Sequence, residues 1–192
     1  MGADHGGLPP SAWVQRWAGL VQPGGEVLDL ACGRGRHARL FAARGCRVVA
    51  ADRDADALAG LKGTPGITTL RADLERDPWP FAPASFDAIV VANYLHRPQF
   101  PHIVATLRAG GVLVYETFMA GNERYGKPSN PAFLLQRGEL LEAFGGVLSL
   151  VAFEQGAVGS PARAVVQRLC AVRDATEPVA LAPEDWNGPE MR

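Results

Sequence analysis

The sequence predicts an α/β fold: a mostly parallel sheet with helices on both faces, closed by an antiparallel hairpin. Three observations predict it. From residue 27 to residue 117, short apolar runs alternate with helical patterns, the β-α rhythm of a parallel sheet. The run 86–92 is almost wholly apolar, as a strand covered on both faces must be. Two later strand-like runs, 147–153 and 164–172, are joined by residues 156–161, a link too short for a helical crossover, so they pair antiparallel.

Taken in order, residues 1–10 are rich in Gly and Pro and read as a mobile segment ahead of a single domain over 11–173. Ser11 is placed to cap a helix that carries Trp13, Val14, Trp17 and Leu20 on one face, with Pro23, Gly24 and Gly25 ending it. Val27, Leu28 and Leu30 form a buried strand, Gly33 and Gly35 allow a tight turn, and Ala38, Leu40 and Phe41 begin a helix that Gly45 stops. A second strand over 46–51 is closed by Asp52, Arg53 and Asp54 ahead of a helix over 55–61; Asp54 and Asp56 read as its cap and first-turn acids. The third strand, 67–70, leads to Asp73. After the fourth strand, a short helix over 101–107 is expected to end at Gly110 and Gly111, and a fifth strand spans 112–117. Residues 119–136 form a polar loop, long for a compact domain, and a helix over 138–144 precedes the hairpin. The tail, 174–192, holds several prolines and reads as irregular, with Trp186 able to dock.

With 192 residues, 47% of them hydrophobic, the chain can bury a full core unaided by metal or disulfide. A net charge of -1 argues against a large nucleic-acid footprint. Cys32, Cys46 and Cys170 make an odd set without paired spacing, and no run has the length of a signal peptide core or membrane span, so a cytoplasmic setting is expected. The histidines lack metal-ligand spacing, so no metal is expected. Arg34, Arg36 and Arg39 read as solvated charges on a helix face, and Cys32 as a small packing residue.

Open α/β sheets bind ligands at the carboxyl ends of their strands. Four clusters fall there: Asp29 with Ala31, Gly33 and Gly35; Asp52 with Arg53; Asp73 with Leu74; and Asn93, Tyr94, Leu95 and His96. Backbone N–H groups in the glycine turn favour a negative group, and Asp52 is placed to accept the hydroxyls of a ribose. Asp73 suits an adenine amino group, and Asp29 a positive amino group. The spacing Gly33-Arg-Gly35-Arg-His-Ala38 also fits the G-x-G-x-x-A dinucleotide pattern, so an NAD-binding protein stays open on these residues alone.

The same residues resemble the class I methyltransferases that use S-adenosylmethionine. Asp29-Leu-Ala-Cys-Gly33-Arg-Gly35 is similar to that family's acidic, glycine-rich first motif, although Ala31 stands where many members have a glycine. Asp52 matches its ribose-binding acid, Asp73-Leu74 its adenine-binding position, and residues 86–94 its fourth strand with the positions beside the methyl group. The small tellurite-resistance-type subgroup looks most similar. The resemblance implies a Rossmann-like seven-stranded sheet of order 3-2-1-4-5-7-6, S-adenosylmethionine as cofactor and S-adenosylhomocysteine as product. Asp29, Asp73 and the closing hairpin weigh against the dinucleotide reading, while a donor-binding regulatory protein without catalysis is a further alternative.

In-line methyl transfer demands alignment above all, and a base where the acceptor carries a proton. His96 is the candidate base and Tyr94 a candidate wall of the methyl channel. Arg97, Tyr115, Glu116, Arg124, Tyr125, Lys127 and Asn130 are candidates for contact with the acceptor, the loop 119–136 serving as a lid. Amine methyltransferases of nucleic-acid bases carry an Asn/Asp-Pro-Pro-aromatic stretch after the fourth strand; here it is Asn93-Tyr94-Leu95-His96, so a small molecule is the expected acceptor.

Overall fold

A computed structural model describes residues 8–159, 163–177 and 179. Trp186, residues 1–7 of the N-terminal segment and most of the tail lie outside them. Five parallel strands, β1 (Glu26–Leu30), β2 (Arg47–Asp52), β3 (Ile67–Arg71), β4 (Phe86–Ala92) and β5 (Leu107–Phe118), are followed by β6 (Ser149–Val158) and β7 (Ala164–Val172). They form one sheet in the order β3-β2-β1-β4-β5-β7-β6, with β7 antiparallel to both neighbours. This is the expected Rossmann-like arrangement.

Alternation along the strands divides the core in two. Val27, Ala50, Val90 and Val114 face α1 (Ala12–Trp17) and α2 (Arg36–Ala43), packing on Trp13, Trp17 and Phe41. Leu28, Ile89, Leu113 and Tyr115 face the other way, toward α4 (Phe100–Thr106) and α5 (Glu139–Phe144). Both faces of the inner strands are therefore buried, which is why their sequences are nearly continuous apolar runs. Ser11 caps α1, its hydroxyl accepting from Trp13 N–H, and Asp54 caps α3 (Ala55–Ala59), accepting from Asp56 and Ala57 N–H.

Three expectations need correction. Residues 8–10 are fastened: Arg36 donates to Pro9 O, Gln15 to Pro10 O, and Ser11 N–H to His37 Nε2 at 3.1 Å. Arg36 and Arg39 are accordingly bound to carbonyls, Arg39 reaching Arg34 O and Gly60 O. Gly110 and Gly111 lie inside β5, where the pairing with β4 shifts between Phe86 and Ala88. The glycines turn the chain tightly there, and Arg173 bonds to both through its backbone. A Cβ on Gly111 would meet Arg108 O at 2.8 Å.

Candidate active site

The carboxyl ends of β1 to β4 meet around the glycine turn that links β1 to α2. Ala31, Gly33 and Gly35 all have positive φ, 54°, 53° and 73°. Two carboxylates pin this turn at its ends. Asp52, closing β2, accepts Gly33 N–H at 2.7 Å through Oδ2 and Asp54 N–H at 2.9 Å through Oδ1. Asp29 lies beneath the turn and accepts Ala38 N–H at 2.8 Å. Its carboxylate is 1% exposed, and burial pushes its pKa up to about 7.

Gly35 has no room for a side chain, since a Cβ would sit 2.5 Å from Leu61 Cδ1. We expect Gly35→Ala to lower stability by about 1–2 kcal/mol, from the left-handed backbone and the displaced Leu61, as measured by urea denaturation. Gly33, by contrast, opens on free space.

Beside the turn is a crevice of about 230 Å³ lined by Ala31, Asp52, Arg53, Asp73, Leu74, Asn93 and Tyr94, all expected from the sequence, with Ala72 and Glu75 in addition. Nothing in the sequence singled out Glu75 beyond its place after Asp73-Leu74. Asp73 Oδ1 accepts Glu75 N–H, which holds the turn after β3. Asn93 adopts a left-handed conformation, φ 57°, and its N–H donates to Glu116 O, turning the chain back over the end of β4. His96 is half-buried ahead of a 3-10 turn over Arg97–Gln99.

Other candidates are held elsewhere. Asp29 is turned under the glycine turn, away from the crevice lining. Tyr115 is fully buried in the α4/α5 face of the core, where its hydroxyl donates to Tyr94 O at 2.9 Å. One residue on, Glu116 points to the opposite face and is buried between the Ser11 hydroxyl (2.7 Å) and Arg168 (2.5 Å). Neither side chain lines the crevice. Arg97 grips Glu139 with two N–H groups and donates to Ala132 O and Leu134 O, so it clamps the end of the long loop. Arg124, Tyr125, Lys127 and Asn130 lie exposed on that loop, away from the crevice lining, and Asn130 caps a 3-10 turn over Pro131–Phe133. The loop itself is anchored by buried Asn122, which donates to Pro128 O and accepts Val165 N–H.

His37 and Cys32 are buried near the turn and unsuited to proton transfer: burial lowers the His37 pKa to about 3 and raises the Cys32 thiol well above its usual range. His37 instead accepts Ser11 N–H. Its place on the buried face of α2, four residues before Phe41, is the signal by which the sequence marks it as a core residue. No cluster of metal-ligating side chains exists among the described residues, and no helix there is long and apolar enough to cross a membrane.

An acid closing β2 and an acid-apolar pair after β3 line the crevice beside the glycine turn. The open face of Gly33 leaves room for a ligand against the backbone of the turn. Residues 27–111 match the family model described as a methyltransferase domain. No curated protein sequence matches the chain significantly. Among solved structures, an S-adenosylmethionine-dependent methyltransferase from Mesorhizobium loti superposes with a TM-score of 0.67 at 18% identity, covering 85% of this chain and 99% of its own. TehB from Haemophilus influenzae gives 0.66 at 20% identity, over 83% of this chain but 61% of TehB. A 1,6-didemethyltoxoflavin-N1-methyltransferase from Burkholderia thailandensis, solved with S-adenosylhomocysteine, gives 0.62 at 21%, over 85% and 77%. The match of residues 27–111 to a methyltransferase domain and the shared strand order give this chain the fold of the S-adenosylmethionine-dependent methyltransferases.

Proposed function

We propose that the chain methylates a small molecule, with the donor seated in the crevice at the carboxyl ends of β1 to β4. The observation that carries the reading is the convergence of Asp52, Asp73, Leu74 and Asn93 beside the glycine turn. Bound there, S-adenosylmethionine supplies a methyl group made electrophilic by the sulfonium. Asp52 would hold the ribose hydroxyls, Asp73 and Leu74 the adenine, and the free face of the Gly33 turn the amino-acid end. The protein's part is to align and to exclude water.

A small acceptor is favoured by the net charge of -1, which offers no large footprint for a phosphate backbone. The toxoflavin methyltransferase with the same fold also acts on a small molecule. His96 is proposed as the base for an acceptor that carries a proton. The test is methyl transfer from labelled donor to pooled metabolites: turnover supports the reading, and donor binding with no turnover would favour a regulatory protein. Once an acceptor is in hand, His96→Gln should slow turnover while leaving S-adenosylhomocysteine affinity unchanged.

A further inference from the structure

Resting on that reading of the crevice, we propose that residues 8–11 are a strap whose closure is coupled to occupancy of the donor site, with Ser11 as its clasp. Two elements that frame the donor site receive it. On one side stand Arg36 and His37, the first residues of α2 after the glycine turn. Arg36 donates to Pro9 O at 3.2 Å, and His37 Nε2 accepts Ser11 N–H at 3.1 Å. On the other side the Ser11 hydroxyl donates to Glu116 Oε1 at 2.7 Å, and the backbone oxygen of the same Glu116 accepts the N–H of Asn93, which lines the crevice. Ser11 therefore bridges the turn that seats the amino-acid end of the donor and the strand end that sets Asn93.

The fastening is polar and reversible. Leu8 and Pro9 are exposed, Pro10 and Ser11 half-buried, so no side chain of the strap is anchored in the core. Hydrogen bonds of this kind exchange with water at small net cost, which places the segment at the low-stability end of the fold. Glu116 keeps Arg168 when the strap is open, so opening strands no buried charge. Closure responds to the ligand through the turn. A ligand lying on the open face of Gly33 fixes the left-handed turn over Gly33–Gly35, and with it the direction in which Arg36 and His37 leave it. Held in that direction, both keep their bonds to the strap, and the ligand therefore favours the closed state. Such coupling is reciprocal: whatever the donor adds to closure, closure adds to donor affinity.

Hydrogen exchange at the Ser11 amide of the full chain, with and without S-adenosylhomocysteine, reads the strap directly. Saturating ligand should slow that amide about fivefold, the lower end of ordinary couplings. Ser11→Asp and Ser11→Thr then separate the clasp from the helix cap. Both side chains still accept Trp13 N–H, but the carboxylate cannot donate to Glu116 and repels it. By calorimetry Ser11→Asp should lose the same factor in S-adenosylhomocysteine affinity, and its strap amide should no longer respond to ligand, while Ser11→Thr keeps both. Arg36→Ala removes the bond to Pro9 O without adding a charge, and it should weaken both responses even where the aspartate variant fails to fold. Exchange at Ser11 that ignores bound ligand overturns the proposal and leaves the donor site standing. Full affinity in Ser11→Asp overturns it as well, and an equal loss in Ser11→Thr would trace the effect to side-chain bulk and do the same. Failure of the unmodified chain to bind S-adenosylhomocysteine would overturn the reading of the crevice itself.

Discussion

Asp52→Ala is expected to weaken S-adenosylhomocysteine binding by about 3 kcal/mol, on the order of 10²-fold, through two losses that act together. The first is the charge-assisted contact with the ribose hydroxyls proposed above. The second is the latch on the turn: Asp52 Oδ2 holds Gly33 N–H at 2.7 Å, and Oδ1 holds Asp54 N–H at 2.9 Å. Without the carboxylate the turn must be ordered by the ligand, and that ordering reduces affinity further. Asp52→Asn separates the two, because its amide oxygen can still accept one of these N–H groups, so it should lose less. Titration calorimetry on the three proteins gives the comparison. Equal affinity in all three would remove Asp52 from both roles.

Asp29→Asn is expected to stabilise the free protein by about 2–3 kcal/mol at pH 8 and hardly at all near pH 4. Asp29 titrates at about 7 in the fold against 3.8 for the ordinary side chain, because burial disfavours its charge. Below 3.8 the folded and unfolded chains both hold the proton, and the residue contributes no pH dependence. Between the two values the folded chain keeps a proton that the unfolded chain releases, so stability falls as pH rises through that window. Above about 7 the penalty is complete. Asparagine never bears the charge, and its side-chain oxygen can still accept Ala38 N–H; its own buried N–H groups take back part of the gain. Urea denaturation at pH 5 and pH 8 measures the effect, and a difference that does not grow with pH would mean that Asp29 is not held protonated by burial.

Much of the fold is legible in local pattern. The β-α rhythm gives the parallel strands, the short link gives the antiparallel hairpin, and Ser11 and Asp54 are found as caps where short polar side chains precede apolar helices. The crevice lining is legible for a related reason: a residue that closes a parallel strand lies on the ligand side whatever its neighbours do. Residues whose direction depends on strand face or distant partners are not. Tyr115 and Glu116 are adjacent at the end of β5, yet the pleat sends one into each half of the core. Arg97 follows β4 like the crevice residues but finds Glu139, 42 positions later, and no local signal marks that pair. Asp29 sits in the expected motif and serves the turn from below, since its burial is fixed by α2 packing over β1.

The most direct measurement on the donor site is calorimetric titration of the full chain with S-adenosylhomocysteine and, in parallel, with NAD. Binding of S-adenosylhomocysteine at one site per chain, with no binding of NAD, is expected. Binding of NAD without S-adenosylhomocysteine would contradict the assignment of the glycine turn, Asp52 and Asp73 to a methyl donor.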